Sequence, residues 1–275
     1  MLGKLMKHEF RATARLMAPL FGVLILLAAS VRVIDAVLAD RAASVHGLAG
    51  SLLSMLCGLL PVAFVFAILG ITIFSVILMV SRFYKNLMTD EGYLMFTLPV
   101  SVHGLLWSKL LVSIVWFIAT FLVDILAIFL ALAEPVLHFG SIFEEIAGFA
   151  PRFYQDFGIR FPVFCLELFA VGLLALVIGC LMFYAPISIG HSFANHKTLL
   201  SVVFYFVIQL AMQVLSISML ATGVFKSFVH FTVFRDSAEL PLQPILLTIF
   251  LISLFFAAIL YLITWLMLKR KRNLQ

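Results

Sequence analysis

The chain has 275 residues, of which 64% are hydrophobic and 11% charged, and its formal net charge is +5. A soluble domain of this length could not bury so much apolar surface, because its own exterior would have to be largely polar. The apolar residues form continuous runs rather than alternating with polar ones, which favours membrane-spanning helices over the strands of a barrel. The composition therefore predicts an all-α membrane protein in contact with a lipid bilayer.

Six apolar runs are long enough for the roughly 20 residues that a helix needs to cross a bilayer. They lie at about 17–38, 51–80, 105–133, 161–189, 198–224 and 243–268. An even number of spans places both termini on one side, and 12 of the 18 Lys and Arg residues fall on that side. Lys and Arg are more frequent in the cytoplasmic loops of membrane proteins, so we expect both termini to be cytoplasmic. We also expect the net positive charge to reflect this topology rather than binding to nucleic acid.

The first 16 residues predict an amphipathic helix at the membrane surface, followed by a six-span domain over residues 17–275. Apolar residues such as Leu2, Leu5 and Met6 repeat at helical spacing, with Lys and Arg on the opposite face. Pro19 is expected to bend the chain into the first span. Glu9 interrupts the apolar face. We expect it either to meet a cation (Arg82 or Lys85) or a partner, or to extend into water without a role.

The connection between the second and third spans, from Arg82 to Leu111, predicts a short cytoplasmic helix. Thr89 is expected to cap its start, with the carboxylates of Asp90 and Glu91 in the first turn. Gly92 lowers helix propensity and permits a partner backbone to approach closely. The apolar surface of this helix is expected to consist of Tyr93, Leu94, Phe96 and Leu98.

Further along this connection, Pro99 should end the short helix and Ser101 should cap the third span. Lys109 is expected to extend back to the membrane interface. On the opposite side of the membrane, residues 141–157 have apolar side chains near helical spacing, which predicts a second short amphipathic helix. From these patterns alone, the cytoplasmic helix is either a lever for a soluble partner or a loop that merely reconnects two spans.

Two stretches resemble ABC-2-type transporter permeases, as found in small Gram-positive exporters. They are the run DEGYLMFTLPVSVHGLLWSKLL, which starts at Asp90, and the opening MLGKLMKHEFRATARLMAPL. The resemblance implies that residues 90–98 form a coupling helix, with Thr89 at its start, that docks on an ATP-binding subunit. It also implies a second contact at Glu9 and Phe10, a second permease subunit that is identical or related, outward transport, and a bacterial plasma membrane.

The sequence contains no G-x-x-x-x-G-K-[ST] loop that could cradle nucleotide phosphates. We therefore expect no enzymatic activity in this chain, and we expect ATP and Mg to bind the separate ATPase subunit that the resemblance implies. No cysteine pair has metal-ligand spacing, so no metal site is expected either.

Besides Asp35, which lies near the end of the first predicted span, two carboxylates lie inside predicted spans, Asp124 in the third and Glu167 in the fourth. A charged carboxylate at the bilayer centre costs roughly 2.5–3.5 kcal/mol, so such residues usually face a protein interior and often function. We consider both as candidates for the cargo path or for proton transfer, or as structural groups, with Glu167 pairing with Arg160.

Two other functions remain open. The intramembrane carboxylates also suit an ATP-independent secondary transporter or channel. His191 and Asn195, together with Glu144 and Glu145, resemble the motifs of CAAX-type intramembrane proteases. The predicted topology places the glutamates and the histidine on opposite sides of the membrane, although a catalytic base must lie within hydrogen-bond reach of the water that it activates.

Overall fold

The computed structural model describes residues 2–44, 47–97, 100–132, 148–155, 157, 159–193, 195–221 and 242–273. Six long helices and one short helix account for most of these residues, and no strand occurs among them. They are α1 (Leu2–Ser44), α2 (Leu48–Met88), α3 (Asp90–Thr97), α4 (Val102–Leu132), α5 (Phe161–Gly190), α6 (Lys197–Ala221) and α7 (Leu242–Asn273). The all-helical fold class is confirmed.

Six of these helices, all except α3, are long and apolar enough to cross a membrane. Each contains one of the six predicted spans or nearly all of it. Many large apolar side chains on these helices are exposed, including Leu26, Phe66, Leu166 and Phe206. Contiguous apolar surface of this kind marks contact with lipid or with another membrane protein. The chain is therefore a multi-pass membrane protein.

Helix α1 extends further toward the N-terminus than the predicted first span, because it begins at Leu2 and continues through Pro19. Residues 2–16 are thus the first turns of α1 and do not form a separate helix. Proline removes one backbone hydrogen bond, but helices of membrane proteins tolerate it when neighbouring groups satisfy the freed carbonyl. Placement of these residues on the membrane surface remains a prediction.

The chain divides into two compact units, and the division falls within α2 and α4. The first unit covers residues 1–82 and 107–137 and contains α1, most of α2 and most of α4. One of its buried clusters joins Leu24 and Ala28 of α1 to Phe64 of α2 and to Ala127 and Ala131 of α4. Small residues such as these alanines allow membrane helices to approach closely.

The second unit covers residues 83–106 and 138–275. In this unit α5 packs against both α6 and α7. The ring of Phe83, in the last turns of α2, stacks on that of Tyr184 of α5 with 3.9 Å between the ring centroids. At the last residue of α5, Gly190, a Cβ atom would lie 2.2 Å from Oγ of Ser201 in α6, so only glycine fits there.

Residues 148–155 are helical, as expected for the second amphipathic segment. Phe153 is buried and packs against four other phenylalanine rings, at centroid distances of 4.8–5.7 Å: Phe149, Phe157, Phe161 and Phe164. The packing of the buried Phe153 among these rings holds the segment against the start of α5. The first part of the predicted segment, including Ile142, Phe143 and Ile146, lies outside the described residues.

Candidate functional site

Helix α3 connects the ends of two membrane-spanning helices, and its first turn is held by a tight contact with α2. The backbone N–H of Gly92 donates to the carbonyl of Thr89 at 2.9 Å. Gly92 is buried, and a Cβ atom there would lie 2.8 Å from the carbonyl oxygen of Leu87. The close approach that glycine permits is therefore made by the end of α2 in the same chain and not, as predicted from the sequence, by the backbone of a partner.

The hydroxyl of Thr89 does not cap α3 as predicted. It donates to the backbone carbonyl of Lys85 in the last turn of α2. Threonine commonly bonds back to the carbonyl four residues earlier, and here that local bond competes with the capping geometry. Thr89 thus closes α2, and the start of α3 relies on the backbone bond of Gly92.

The accessible part of α3 includes Glu91, which is exposed, and Met95 and Phe96, which are partly buried. A carboxylate in the first turn complements the positive end of the helix dipole. The side chains of Asp90, Tyr93 and Leu94 and the whole of Leu98 lie outside the described part of the structure. Their predicted contacts therefore remain predictions.

Ser101 caps α4, as the sequence predicts. Its hydroxyl oxygen accepts a hydrogen bond from the backbone N–H of Gly104 at 3.2 Å. Its carbonyl accepts the first helical bond, from Leu105, at 3.1 Å. This arrangement satisfies the first orphan donors of the helix and fixes where the third span begins. Pro99 lies outside the described residues.

Glu9 forms an ion pair with Lys109 of α4, and both side chains are buried within the first unit. The cation that neutralises this carboxylate is therefore Lys109, and not Arg82 or Lys85, the two cations suggested by the sequence. The expectation that Lys109 extends to the membrane interface was wrong, because its ammonium group turns inward to the carboxylate. A buried charge is stable only when it is paired and hydrogen-bonded, so the two residues depend on each other.

Phe10 follows Glu9 and is half-exposed. Its ring stacks on that of Trp116 of α4, with 4.8 Å between centroids and 17° between the planes. Trp116 itself is buried, and Phe21 of α1 packs on it at 6.0 Å. Glu9 and Phe10 thus join the beginning of α1 to one face of α4, by charge and by ring packing respectively.

Asp124 lies in α4 beside Thr72 of α2, again within the first unit. Oδ2 of Asp124 and Oγ1 of Thr72 are 3.2 Å apart. Oδ1 of Asp124 is buried and has no hydrogen-bond partner. A buried polar atom without a partner is uncommon in native structures, and it draws attention to this carboxyl group as a functional candidate.

Glu167 also has one buried oxygen without a hydrogen-bond partner, Oε2. The suggested ion pair with Arg160 is not formed among the described residues. Arg160 precedes α5 in an extended conformation, with φ −66° and ψ 128°, and its side chain is exposed. It therefore does not share the helical phase that would direct it toward Glu167. Asp124 belongs to the first unit and Glu167 to the second.

His191 follows the last turn of α5. Its Nδ1 lies 2.9 Å from the carbonyl of Ile187 and 3.4 Å from Oγ of Ser201, and its ring meets that of Tyr84 edge to face. These contacts are those of a histidine that closes a helix. No group of three or more His, Cys, Asp or Glu side chains suitable for a metal occurs in the described residues. Glu144 and Glu145 lie outside them.

Sequence reasoning missed an aromatic column between α4 and α7 in the second unit. Nδ1 of His103 lies 2.7 Å from the hydroxyl of Tyr261, and its ring stacks on that of Trp265 at 4.8 Å. The ammonium of Lys269 lies 5.0 Å from the centroid of the Trp265 ring. The spacing of four residues between Tyr261, Trp265 and Lys269 is the signal that could have indicated one continuous face.

No family model, no curated protein and no solved structure matches the chain.

Proposed function

We propose that this chain is the membrane subunit of an ATP-binding-cassette exporter, an ABC-2-type permease. In this proposal a separate ATP-binding subunit binds ATP and Mg and hydrolyses the nucleotide. Two permease subunits, identical or related, enclose the cargo path in a bacterial plasma membrane, with both termini in the cytoplasm.

The observation that carries the proposal is α3, an eight-residue helix between two membrane-spanning helices. Its first turn is fixed to the end of α2 through Gly92, and the next helix is capped by Ser101. A loop that only reconnects two spans needs no such fixed geometry. A short helix that is held at its first turn and has an exposed carboxylate at Glu91 suits a partner that pushes on it from the cytoplasm.

The ion pair of Glu9 and Lys109 extends this argument into the membrane. Lys109 lies seven residues after the start of α4 at Val102, or about 10 Å along the helix. Because a buried ion pair resists separation, a displacement of this part of α4 is transmitted to the beginning of α1. In this proposal α3 receives the force and α4 distributes it within the membrane.

The sequence contributes two further arguments. It contains no phosphate-binding loop, so any energy from ATP has to come from another polypeptide. Residues 90–111 and the N-terminus resemble ABC-2-type permeases, and this resemblance indicates that the other polypeptide is an ATP-binding-cassette subunit. Purification of the tagged chain from its native membrane tests this directly. A stoichiometric ATP-binding subunit supports the permease, and its absence from an intact, active preparation contradicts it.

An ATP-independent secondary transporter is the alternative, and the unpartnered oxygens of Asp124 and Glu167 favour it. Carboxyl groups in membrane helices often couple ion movement to transport. Reconstitution of the purified chain in liposomes separates the two functions. Cargo uptake driven by an ion gradient, with no other polypeptide present, supports the carrier. Uptake only when the ATPase subunit and ATP are added supports the permease.

A further inference from the structure

Asp124 stands alone as an ionisable group in the apolar middle of the first unit. The stretches 16–31 of α1, 58–81 of α2 and 110–132 of α4 contain no other ionisable side chain. The groups that flank these stretches are Arg15 and Arg32 on α1, Cys57 and Arg82 on α2, and Lys109 on α4. Lys109 is already paired with Glu9. A charge on Asp124 would therefore depend on a ligand or on water for compensation.

The hydrogen bonds around Thr72 indicate how the carboxyl group exists when no ligand is present. Oγ1 of Thr72 lies 3.0 Å from the carbonyl of Ile68 and 3.2 Å from Oδ2 of Asp124. The hydroxyl has one proton and can donate it to only one of these two oxygens. If Oδ2 carries a proton, Asp124 donates to Thr72 and Thr72 donates to Ile68, and both short contacts become hydrogen bonds.

The environment of the second carboxyl oxygen favours the same state. Oδ1 is buried and has no donor. Burial of an ionised carboxylate without compensation costs far more than burial of a neutral carbonyl. The neutral acid has its proton on Oδ2 and a carbonyl at Oδ1. It allows both hydrogen bonds at Thr72 to form and leaves no charge on the buried Oδ1, whereas the carboxylate does neither.

The surface around this pair is apolar and accessible. Thr72 is exposed, Leu69 of the same helix is 52% exposed, and Phe121 of α4 is 64% exposed. Phe121 lies three residues before Asp124, and Leu69 three residues before Thr72, so each is a neighbour on its helix face. An aromatic face beside a carboxyl group attracts a cation that also carries apolar groups.

We propose that the site formed by Asp124 and Thr72 binds a lipophilic cation in exchange for the proton of Asp124. The neutral acid and the cation give a carboxylate–cation pair and one released proton. When the cation is bound, Thr72 turns its hydroxyl proton from Ile68 to the carboxylate. The inference rests on the proposed transport function and assigns the cargo a class, namely molecules with a positive charge and an apolar body.

Calorimetry with tetraphenylphosphonium tests the exchange, because this cation has no proton of its own. Binding to the purified full chain in detergent is measured in two buffers that differ in ionisation enthalpy, which gives the number of protons released. We expect about one proton per bound cation. The anion tetraphenylborate, which has the same shape, should not bind at this site.

Three variants make the result specific. Asp124→Asn keeps the shape of the side chain, and we expect it to abolish proton release and to weaken cation binding about tenfold or more. Thr72→Val should weaken binding to a smaller extent. Ser54→Ala, which removes another α2 hydroxyl that bonds back to a carbonyl of its own helix, should leave both quantities unchanged. Circular dichroism and monodisperse elution establish that each variant is folded.

The exchange is contradicted if the folded wild-type chain does not bind the cation, if it binds the cation without proton release, or if Asp124→Asn binds it with unchanged affinity. The measurement uses the chain without an ATPase subunit. Failure of the exchange therefore leaves the permease proposal standing, and a missing ATPase partner does not alter the binding result.

Discussion

Glu9 and Lys109 lie one hundred residues apart in sequence and form a buried ion pair between the first turns of α1 and the beginning of α4. Because both side chains are buried, loss of one partner should change the stability of the protein more than it would in an exposed ion pair. Exposed pairs typically contribute less than about 1 kcal/mol, whereas removal of one partner from a buried pair leaves an uncompensated charge.

Glu9→Gln and Lys109→Met should each lower the melting temperature of the purified chain substantially, because loss of one buried partner costs about 3–5 kcal/mol. The double variant should lose less stability than the two single variants lose in total. A thermal melt of all four proteins, with tryptophan fluorescence as the signal, measures this coupling. Strict additivity of the two changes would show that the side chains do not interact.

The close approach of α6 to the last residue of α5, Gly190, provides a second stability prediction. A Cβ atom at Gly190 would lie 2.2 Å from Oγ and 2.5 Å from the backbone nitrogen of Ser201, so the chain itself would have to move. Gly190→Ala should therefore destabilise the protein by about 1–3 kcal/mol.

Gly179→Ala is the matched control for Gly190→Ala, because it lies on the same helix and a Cβ atom there would meet nothing within 4 Å. It should leave stability unchanged or raise it by up to about 1 kcal/mol through helix propensity. Equal effects of the two alanines on the melting temperature would contradict the close approach at Gly190.

The contact of His103 with Tyr261 provides a third prediction. Tyr261→Phe removes the hydroxyl that lies 2.7 Å from Nδ1 of His103 but keeps the ring. The loss of one hydrogen bond should cost about 1 kcal/mol. His103→Ala should cost more, because it also removes the stacking on Trp265. A larger decrease in melting temperature for His103→Ala than for Tyr261→Phe supports the aromatic column, and the reverse order contradicts it.

The fold was predictable because hydrophobic runs of spanning length leave few alternatives in lipid. The start of α4 at Ser101 was also predictable, since its hydroxyl cap is a local interaction. The end of α2 was not, because Thr89 has two local options and the sequence does not show which carbonyl or N–H its hydroxyl bonds. Continuation of α1 through Pro19 likewise depends on packing along the whole helix.

The partners of buried charges were the least predictable feature. The sequence shows that Glu9 interrupts an apolar face, but its pairing with Lys109 and not with another cation depends on how α1 and α4 pack. The neighbour of Asp124, Thr72, is a small polar residue in a long apolar run, and nothing in its own sequence surroundings distinguishes it. Tertiary pairing between distant helices determines both sites.

Gly92 links the local structure of α3 to the proposed coupling. Gly92→Ala places a Cβ atom 2.8 Å from the carbonyl oxygen of Leu87, which should displace α3 from the end of α2. In the proposed complex this should lower cargo-stimulated ATPase activity more than it lowers the melting temperature of the isolated chain. Gly58→Ala, where a Cβ atom would meet nothing within 4 Å, is the control. Unchanged stimulation in Gly92→Ala would show that the position of α3 does not matter for coupling.

The most direct measurement is the amount of ATP-binding subunit that co-purifies with the chain when the exposed charge on α3 is reversed. Glu91→Lys should reduce the recovered subunit strongly, while Arg152→Glu, a reversal at an exposed site on the predicted outer side, should leave it unchanged. Full recovery with Glu91→Lys, and again after all of residues 90–97 are replaced by a linker in a protein that remains folded, would contradict the account.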